Sequence, residues 1–303
     1  MKNNRRIIAG LLVLFLMISP ITALTVFGAS FGDELHSDSL YIANKTVLAN
    51  GVYWNSGAND RITENYIEYQ AGGNIIPKIS YGNDIYGAAS YRAVVAKSES
   101  EGDRVVAGLN GDFFHMSNGV PLGMTIKDGF LLTSEGSKNP SIGFYEDGTA
   151  IIGRANLNIR VSGDNLAKPV GSIHLNKVVS NSSGLMLYTR DFADDDTNKA
   201  PIPTYNIILE VDSGEIAINN KVEARVESVL ESEGPTYIPE GRILLSISLN
   251  TDYPGTLSNV QTLTPGDHVT IEFNADEEWN DVLYAVGGGD KLVTAGSNVA
   301  PTT

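Results

Sequence analysis

The chain has 303 residues, a formal charge of −15 and no cysteine. That length serves one large domain or two smaller ones, and the missing thiols exclude a disulfide framework, a thiolate metal site and a thiol nucleophile. An acidic surface with no run of clustered lysine and arginine repels phosphate backbones, which excludes nucleic acid as a partner.

Met1–Ser30 reads as a signal peptide or membrane anchor. Lys2, Arg5 and Arg6 form a basic end, an apolar run extends from Ile7 to Phe27, and Gly28 and Ser30 suit a processing site. The run is also long enough to span a bilayer, so any membrane contact is expected only through this segment if it stays uncleaved. Residues 31–60 are polar and weakly patterned and read as a connector with one strand near Tyr41–Val47. Tyr66–Tyr69 and Ile75–Ile79 read as strands, separated by the Gly72-Gly73-Asn74 turn. Ser90 suits the N-cap of a short helix carrying Tyr91, Val94 and Val95 on one face and ending at Gly102.

Val105–Leu109 is a short apolar run of the kind expected in a strand buried on both faces. A strand, a helix and this strand would form a crossover unit, with Asn110 and Asp112 at a strand's carboxyl end, where open α/β sheets bind ligands. Asn110-Gly111-Asp112 supplies the residues that let a backbone leave a sheet. Phe113, Phe114 and His115 follow directly, so the loop is expected to fold over a concavity with two polar side chains against an apolar wall. Taken alone, Asn-Gly-Asp is also an ordinary turn with Phe113 and Phe114 as core. Met124–Lys127 and Phe130–Ser134 flank Asp128-Gly129 as a type I′ hairpin, and Ser141–Tyr145 and Thr149–Gly153 flank Asp147-Gly148 as a second.

Farther on, Leu157, Ile159 and Val161 alternate with polar residues, as do Leu245, Ile247 and Leu249, and Val269, Ile271 and Phe273. These read as antiparallel strands solvated on one side. Asp191, Asp194, Asp195 and Asp196 form an acidic loop whose spacing matches no EF-hand, so no metal is expected there. Gly287-Gly288-Gly289 invites a phosphate-loop reading, but no Lys-Ser or Lys-Thr pair follows and Asp290 would oppose an anion. A strand at Val282–Val286 leaving its sheet through glycines accounts for it better. The fold class expected is α+β (mixed α/β), β-rich, with a central mixed sheet, antiparallel hairpins and few helices. A β-rich insertion is expected at about 155–275.

Asn110-Gly111-Asp112-Phe113-Phe114, followed by Gly119-Val120-Pro121-Leu122-Gly123 and Lys127-Asp128-Gly129, resembles the phosphodiester glycosidases. This family includes the lysosomal enzyme that uncovers mannose 6-phosphate, and bacterial members are described as exopolysaccharide-associated. Leu187-Tyr188-Thr189, Ile238-Pro239-Glu240-Gly241, Pro265-Gly266-Asp267 and Val286-Gly287-Gly288-Gly289 with Leu292-Val293 are similar to later family stretches in the same order. The resemblance runs from about Ile62 to Gly296, which makes residues 61–303 a phosphodiester glycosidase-like domain.

The resemblance implies hydrolysis of N-acetylglucosamine-1-phosphodiester-type linkages in cell-envelope or exopolysaccharide glycans, without a cofactor or a metal. It implies a secreted protein, or one on the extracellular face of the envelope, whose partner is a carbohydrate or glycan phosphodiester. Glycosidases generally flank the scissile bond with two carboxylates. Asp112 is expected to be one, with Asn110 orienting it or bonding a sugar hydroxyl. Gly111, Phe113, Phe114 and Gly123 are expected to contact the sugar. Asn176, beside His174 and Lys177, and Thr197, beside Asn198, match family stretches near the site, and Gly288 allows close approach. No arginine stands near Asn176, where the family has a basic contact.

Family members continue past the glycine-rich strand into an arginine-threonine segment and an Asp-Gly-Gly-Gly-Ser motif, whereas this sequence runs only 14 residues beyond Gly289. The expectation is therefore an incomplete domain, a fragment that lacks the second carboxylate. The alternative is a non-catalytic, envelope-associated carbohydrate-binding protein.

Overall fold

A computed structural model describes residues 33–135 and 139–299. The expected signal or anchor at Met1–Ser30 lies outside them. The fold is α+β and strongly β-rich, with seventeen strands and two α-helices among the described residues. No helix among them is long and apolar enough to cross a membrane.

The chain divides into two units, one of residues 1–39 with 49–66 and one of residues 40–48 with 67–303. The described part of the first comes from a three-stranded sheet in the order β1 (Asp33–Ala43), β2 (Thr46–Asn55), β3 (Asp60–Tyr69). The expected connector at 31–60 is thus mostly strand. Its hydrophobic signal is weak because the first nine residues of β1 are all exposed, so backbone pairing, with little burial, makes it a strand.

In the larger unit, α1 (Tyr91–Ser100) begins where expected, and the Ser90 hydroxyl accepts a hydrogen bond from the Ala93 amide at 3.3 Å. A five-stranded sheet follows, built from β4 (Thr125–Lys127), β5 (Phe130–Thr133), β6 (Ser141–Phe144), β7 (Ala150–Gly153) and β15 (Tyr284–Gly287). Its order is β5-β4-β15-β6-β7, with antiparallel neighbours throughout. Asp128 and Gly129 both have positive φ (52° and 82°), the signature of the expected type I′ turn. β15, late in the chain, inserts between the two early hairpins, with Ala285 opposite Ile126 on one side and Gly143 on the other.

Between β7 and β15 the chain forms a closed barrel from β8 (Asn158–Gly163), β9 (Val170–Leu175), β10 (Met186–Tyr188), β11 (Thr204–Gly214), β12 (Lys221–Ser232), β13 (Arg242–Ser248) and β14 (His268–Asn274). The order is β10-β13-β11-β12-β14-β8-β9. All pairings are antiparallel except the closing one, where β9 and β10 run parallel with Leu175 opposite Leu187. The barrel is therefore the mixed sheet. Helix α2 (Pro254–Val260) precedes β14.

Ile159, Val161, Ile207, Leu245, Ile271 and Phe273 fill the barrel's core, which continues into Met124, Ile126 and Ala285 of the flat sheet and its approach. A second cluster gathers Met186, Tyr188 and Leu244 with Val120, Leu132 and Phe192. As expected, β8 and β14 alternate buried and open positions. β13 departs from the expectation: it is buried on both faces, because one face meets the barrel core and the other the second cluster.

Two expected strands do not form. Ile75–Ile79 and Val105–Leu109 carry no strand pairing among the described residues, and Val106 and Leu109 are 42% and 71% exposed. Without a neighbouring ladder an apolar run gains neither backbone hydrogen bonds nor burial. The crossover unit is therefore absent, and Asn110 and Asp112 sit after an extended segment, not at the end of a buried strand.

Candidate functional site

The segment from Asp112 to Gly123 doubles back on itself. Phe114 and Pro121 form an antiparallel bridge, the His115 amide donates to Val120 O at 3.0 Å, and the Leu122 amide donates to Phe113 O at 2.8 Å. Gly119 makes the turn at φ +74°, and a Cβ there would collide with the Gly87 carbonyl, so only glycine fits. The doubling brings the Gly123 amide onto Asp112 Oδ2, to which it donates.

Glycine backbones wall the Asp112 carboxylate on two sides. A Cβ on Gly287 would lie 2.6 Å from Asp112 Cγ, and one on Gly123 would lie 2.9 Å from Asp112 Oδ2 and 2.8 Å from Gly287 Cα. Gly111 is required for the same reason, since its Cβ would lie 2.5 Å from Val286 Cγ2. The glycines at the end of β15 thus let the loop's backbone press against the sheet edge. Burial pushes the Asp112 carboxyl above its usual range, while the Gly123 amide, the Lys177 ammonium and the Phe113 and Leu122 amides oppose that shift.

Phe113 and Phe114 are 60% and 42% exposed, so they are not the buried wall of a concavity. Phe113 Cε2 lies 3.8 Å from where a Gly289 Cβ would stand, which sets this ring beside the glycine-rich turn. Both rings are open to solvent. Asn110 is exposed at the entry to the loop.

Asn176 is fully buried. Its Nδ2 donates to Leu132 O at 2.8 Å and Thr189 Oγ1 at 3.0 Å, and its Oδ1 accepts from the Thr189 amide at 3.0 Å. That side chain is occupied inside the protein. The next residue, Lys177, reaches the site instead: Nζ donates to Pro121 O at 2.6 Å and Gly123 O at 2.9 Å. Burial pushes this lysine down to about 7, against the pull of Asp112. His174, also lowered chiefly by burial and then by Lys177, lies on β9.

Thr197 is taken up elsewhere, with its hydroxyl on Asp195 Oδ1 at 2.8 Å and a backbone bridge to Tyr237. Gly288 donates its amide to Pro140 O at 3.0 Å, and its neighbour Gly287 is the residue that touches Asp112. The structure therefore joins Gly111, Asp112 and Gly123 with Gly287 and Lys177, sets Phe113 at the rim, and assigns Asn176 and Thr197 to internal bonds. Sequence reasoning passed over Gly287 as a contact and Lys177 as a member. The triple glycine was a usable signal for the first, and the Asn176-Lys177 pair, in a stretch where the family has a basic contact, was one for the second.

A separate hollow of about 120 Å³, lined in part by Lys78, Glu101, Asp103 and Lys127, lies outside this constellation. Its charges pair with one another, Lys78 with Asp103 at 2.5 Å and Lys127 with Glu101 at 3.0 Å. Among the described residues no cluster of three or more His, Asp or Glu is placed to hold a metal ion.

No family model matches the sequence, and no curated protein does. The fold is similar to that of a hypothetical protein from Synechocystis, with a TM-score of 0.60 and 13% identity, over 88% of this chain and 46% of that one. It is also similar to a protein of Burkholderia pseudomallei K96243 that carries the provisional name of an exported protein, with a TM-score of 0.56 and 13% identity, over 83% of this chain and 51% of that one. The chain spans about half the length of these two solved chains. At such identity the likeness is one of fold alone.

Proposed function

We propose that the protein is an exported glycosidase of the phosphodiester glycosidase type, hydrolysing N-acetylglucosamine-1-phosphodiester-type linkages in envelope or exopolysaccharide glycans. The observation that carries the reading is the setting of Asp112: a carboxylate gripped by the Gly123 amide and walled by glycines, in a loop whose next residue, Phe113, is an exposed aromatic beside the glycine-rich turn. The glycines let the loop press its carboxylate against the sheet edge, and an exposed aromatic face suits the apolar side of a sugar ring.

In this reading water attacks the anomeric carbon as the bond from that carbon to the phosphate oxygen breaks. The phosphate leaves as a monoester anion, a good leaving group that needs little acid assistance. Asp112, ionised, faces the developing oxocarbenium charge and takes the proton of the attacking water. Export rests on the pattern of Met1–Ser30 and agrees with the name of the Burkholderia neighbour.

One observation favours the second reading, a sugar-binding protein without turnover: among the described residues the charged side chain bonded to the Asp112–Gly123 loop is Lys177, where glycosidases generally set a second carboxylate. Hydrolysis of UDP-N-acetylglucosamine or a simple N-acetylglucosamine phosphodiester by the purified protein decides between them. Turnover should fall about 10²–10⁴-fold in Asp112→Asn. Sugar binding with no turnover in the parent protein would establish the second reading instead.

A further inference from the structure

The barrel's parallel seam ends in a rigid joint. Leu175 of β9 faces Leu187 of β10, and the next amide, Asn176 N, donates to Leu187 O at 2.9 Å. Asn176 then turns at φ 51°, a left-handed conformation that asparagine tolerates better than most residues. Its amide group is tied to Leu132 and Thr189, so neither the backbone nor the side chain has freedom to swing. The residue launched from this joint is Lys177.

What Lys177 does with its ammonium is unusual. It could have reached solvent, as lysines generally do. It instead spends two of its three donors on the carbonyls of one short segment, Pro121 O and Gly123 O. Thr133 Oγ1 donates to the same Gly123 carbonyl at 2.9 Å. Lys177 is half-buried, and drawing an ammonium away from water costs free energy unless charge and hydrogen bonds offset it, so a tie between two carbonyls calls for a reason beyond structure. The residue fixed by this arrangement is Gly123, whose amide is the one that grips Asp112.

We propose that Lys177 is the positioning residue of Asp112: it clamps the Pro121–Gly123 segment so that the Gly123 amide stays aimed at the carboxylate. As a statement about catalysis this rests on the reading of Asp112 as the reacting carboxylate. As a statement about the position of Asp112 it does not. The titratable groups that face Lys177 are Asp112 and, from the end of β9, His174. Burial acts on the pair in opposite senses, pushing the lysine down to about 7 and the carboxyl up. The clamp is therefore charged below neutral pH and loses its charge as pH rises through about 7. Asp112 binds protons more tightly still if the lysine charge is removed.

Glycine-selective ¹⁵N NMR across pH 4–9 reads this directly through the Gly123 amide, identified by its response to Asp112→Asn. In the parent protein that amide should show an acidic step from Asp112 and a second step near neutral pH from Lys177. In Lys177→Met the second step should vanish and the acidic step move to higher pH. In Lys177→Arg, which keeps a charge and donors, the acidic step should stay near its parent position while the neutral step vanishes. Absence of the neutral step in the parent protein, or an unmoved acidic step in Lys177→Met, would overturn the proposal whatever the protein hydrolyses. If the phosphodiester substrate is turned over, kcat should drop about 10²-fold in Lys177→Met with KM little changed, and Lys177→Arg should recover most of it. A loss confined to KM, or equal losses in both variants, counts against it. Failure of the parent protein to hydrolyse any such substrate retires the glycosidase reading and leaves the NMR result to decide the positioning role.

Discussion

Two apolar stretches of similar appearance end in opposite circumstances. In β13, Ile243, Leu244, Leu245 and Ile247 are all buried, between β10 and β11, with Leu245 opposite both Leu187 and Ile207. In Val105–Leu109 the side chains are no less apolar, yet Val106 and Leu109 stand open and the backbone carries no strand pairing among the described residues. Hydrophobic runs permit a strand. Neighbours on either side create it, through ladder hydrogen bonds and a surface to bury against.

The contrast is strongest in what truncation should cost. Leu245→Ala removes a fully buried side chain from a closed barrel and should destabilise the protein by about 2–5 kcal/mol, read as a lower midpoint in urea unfolding. The junction between loop and sheet should be intermediate. Gly287→Ala would place a methyl carbon 2.6 Å from Asp112 Cγ, and such overpacking should cost about 1–3 kcal/mol while displacing the carboxylate. A shifted Gly123 amide signal beside a barrel spectrum that stays intact would locate that damage. Leu109→Ser should be smallest, within about 0.5 kcal/mol of the parent, as for other exposed positions. A loss as large as that of Leu245→Ala would mean that Leu109 is covered in solution, and the contrast between the two stretches would collapse.

Features set by adjacent residues were legible in the sequence. Asp128-Gly129 specified its turn through two positive φ angles, Ser90 specified a helix start through its hydroxyl, and alternation in Ile159-Arg160-Val161 and Val269–Phe273 specified one-sided strands. Features set by distant partners were not. β1 becomes a strand without hydrophobic patterning, and β15 reaches back across the whole barrel to lie between β4 and β6. The candidate site divides the same way. Asp112 drew notice because turn residues are followed by Phe113 and Phe114, and its grip by Gly123 spans 11 positions. Lys177 acts across 54 and 56 positions, a distance at which no spacing rule reads a partnership. Asn176 was noticed for its place beside a basic residue, but its burial, which removes it from any sugar, is a property of the closed barrel.

The parallel pairing of β9 with β10 has one more consequence, for the order in which the molecule is made. The lysine clamp starts two residues past the last pair of that seam, so its place is tied to closure of the barrel. A chain with native hairpins and an open seam would carry every residue of the site and still lack the lysine's place in it. Closure of the barrel thus reaches beyond the barrel itself, because it also fixes where the lysine meets the Asp112 loop.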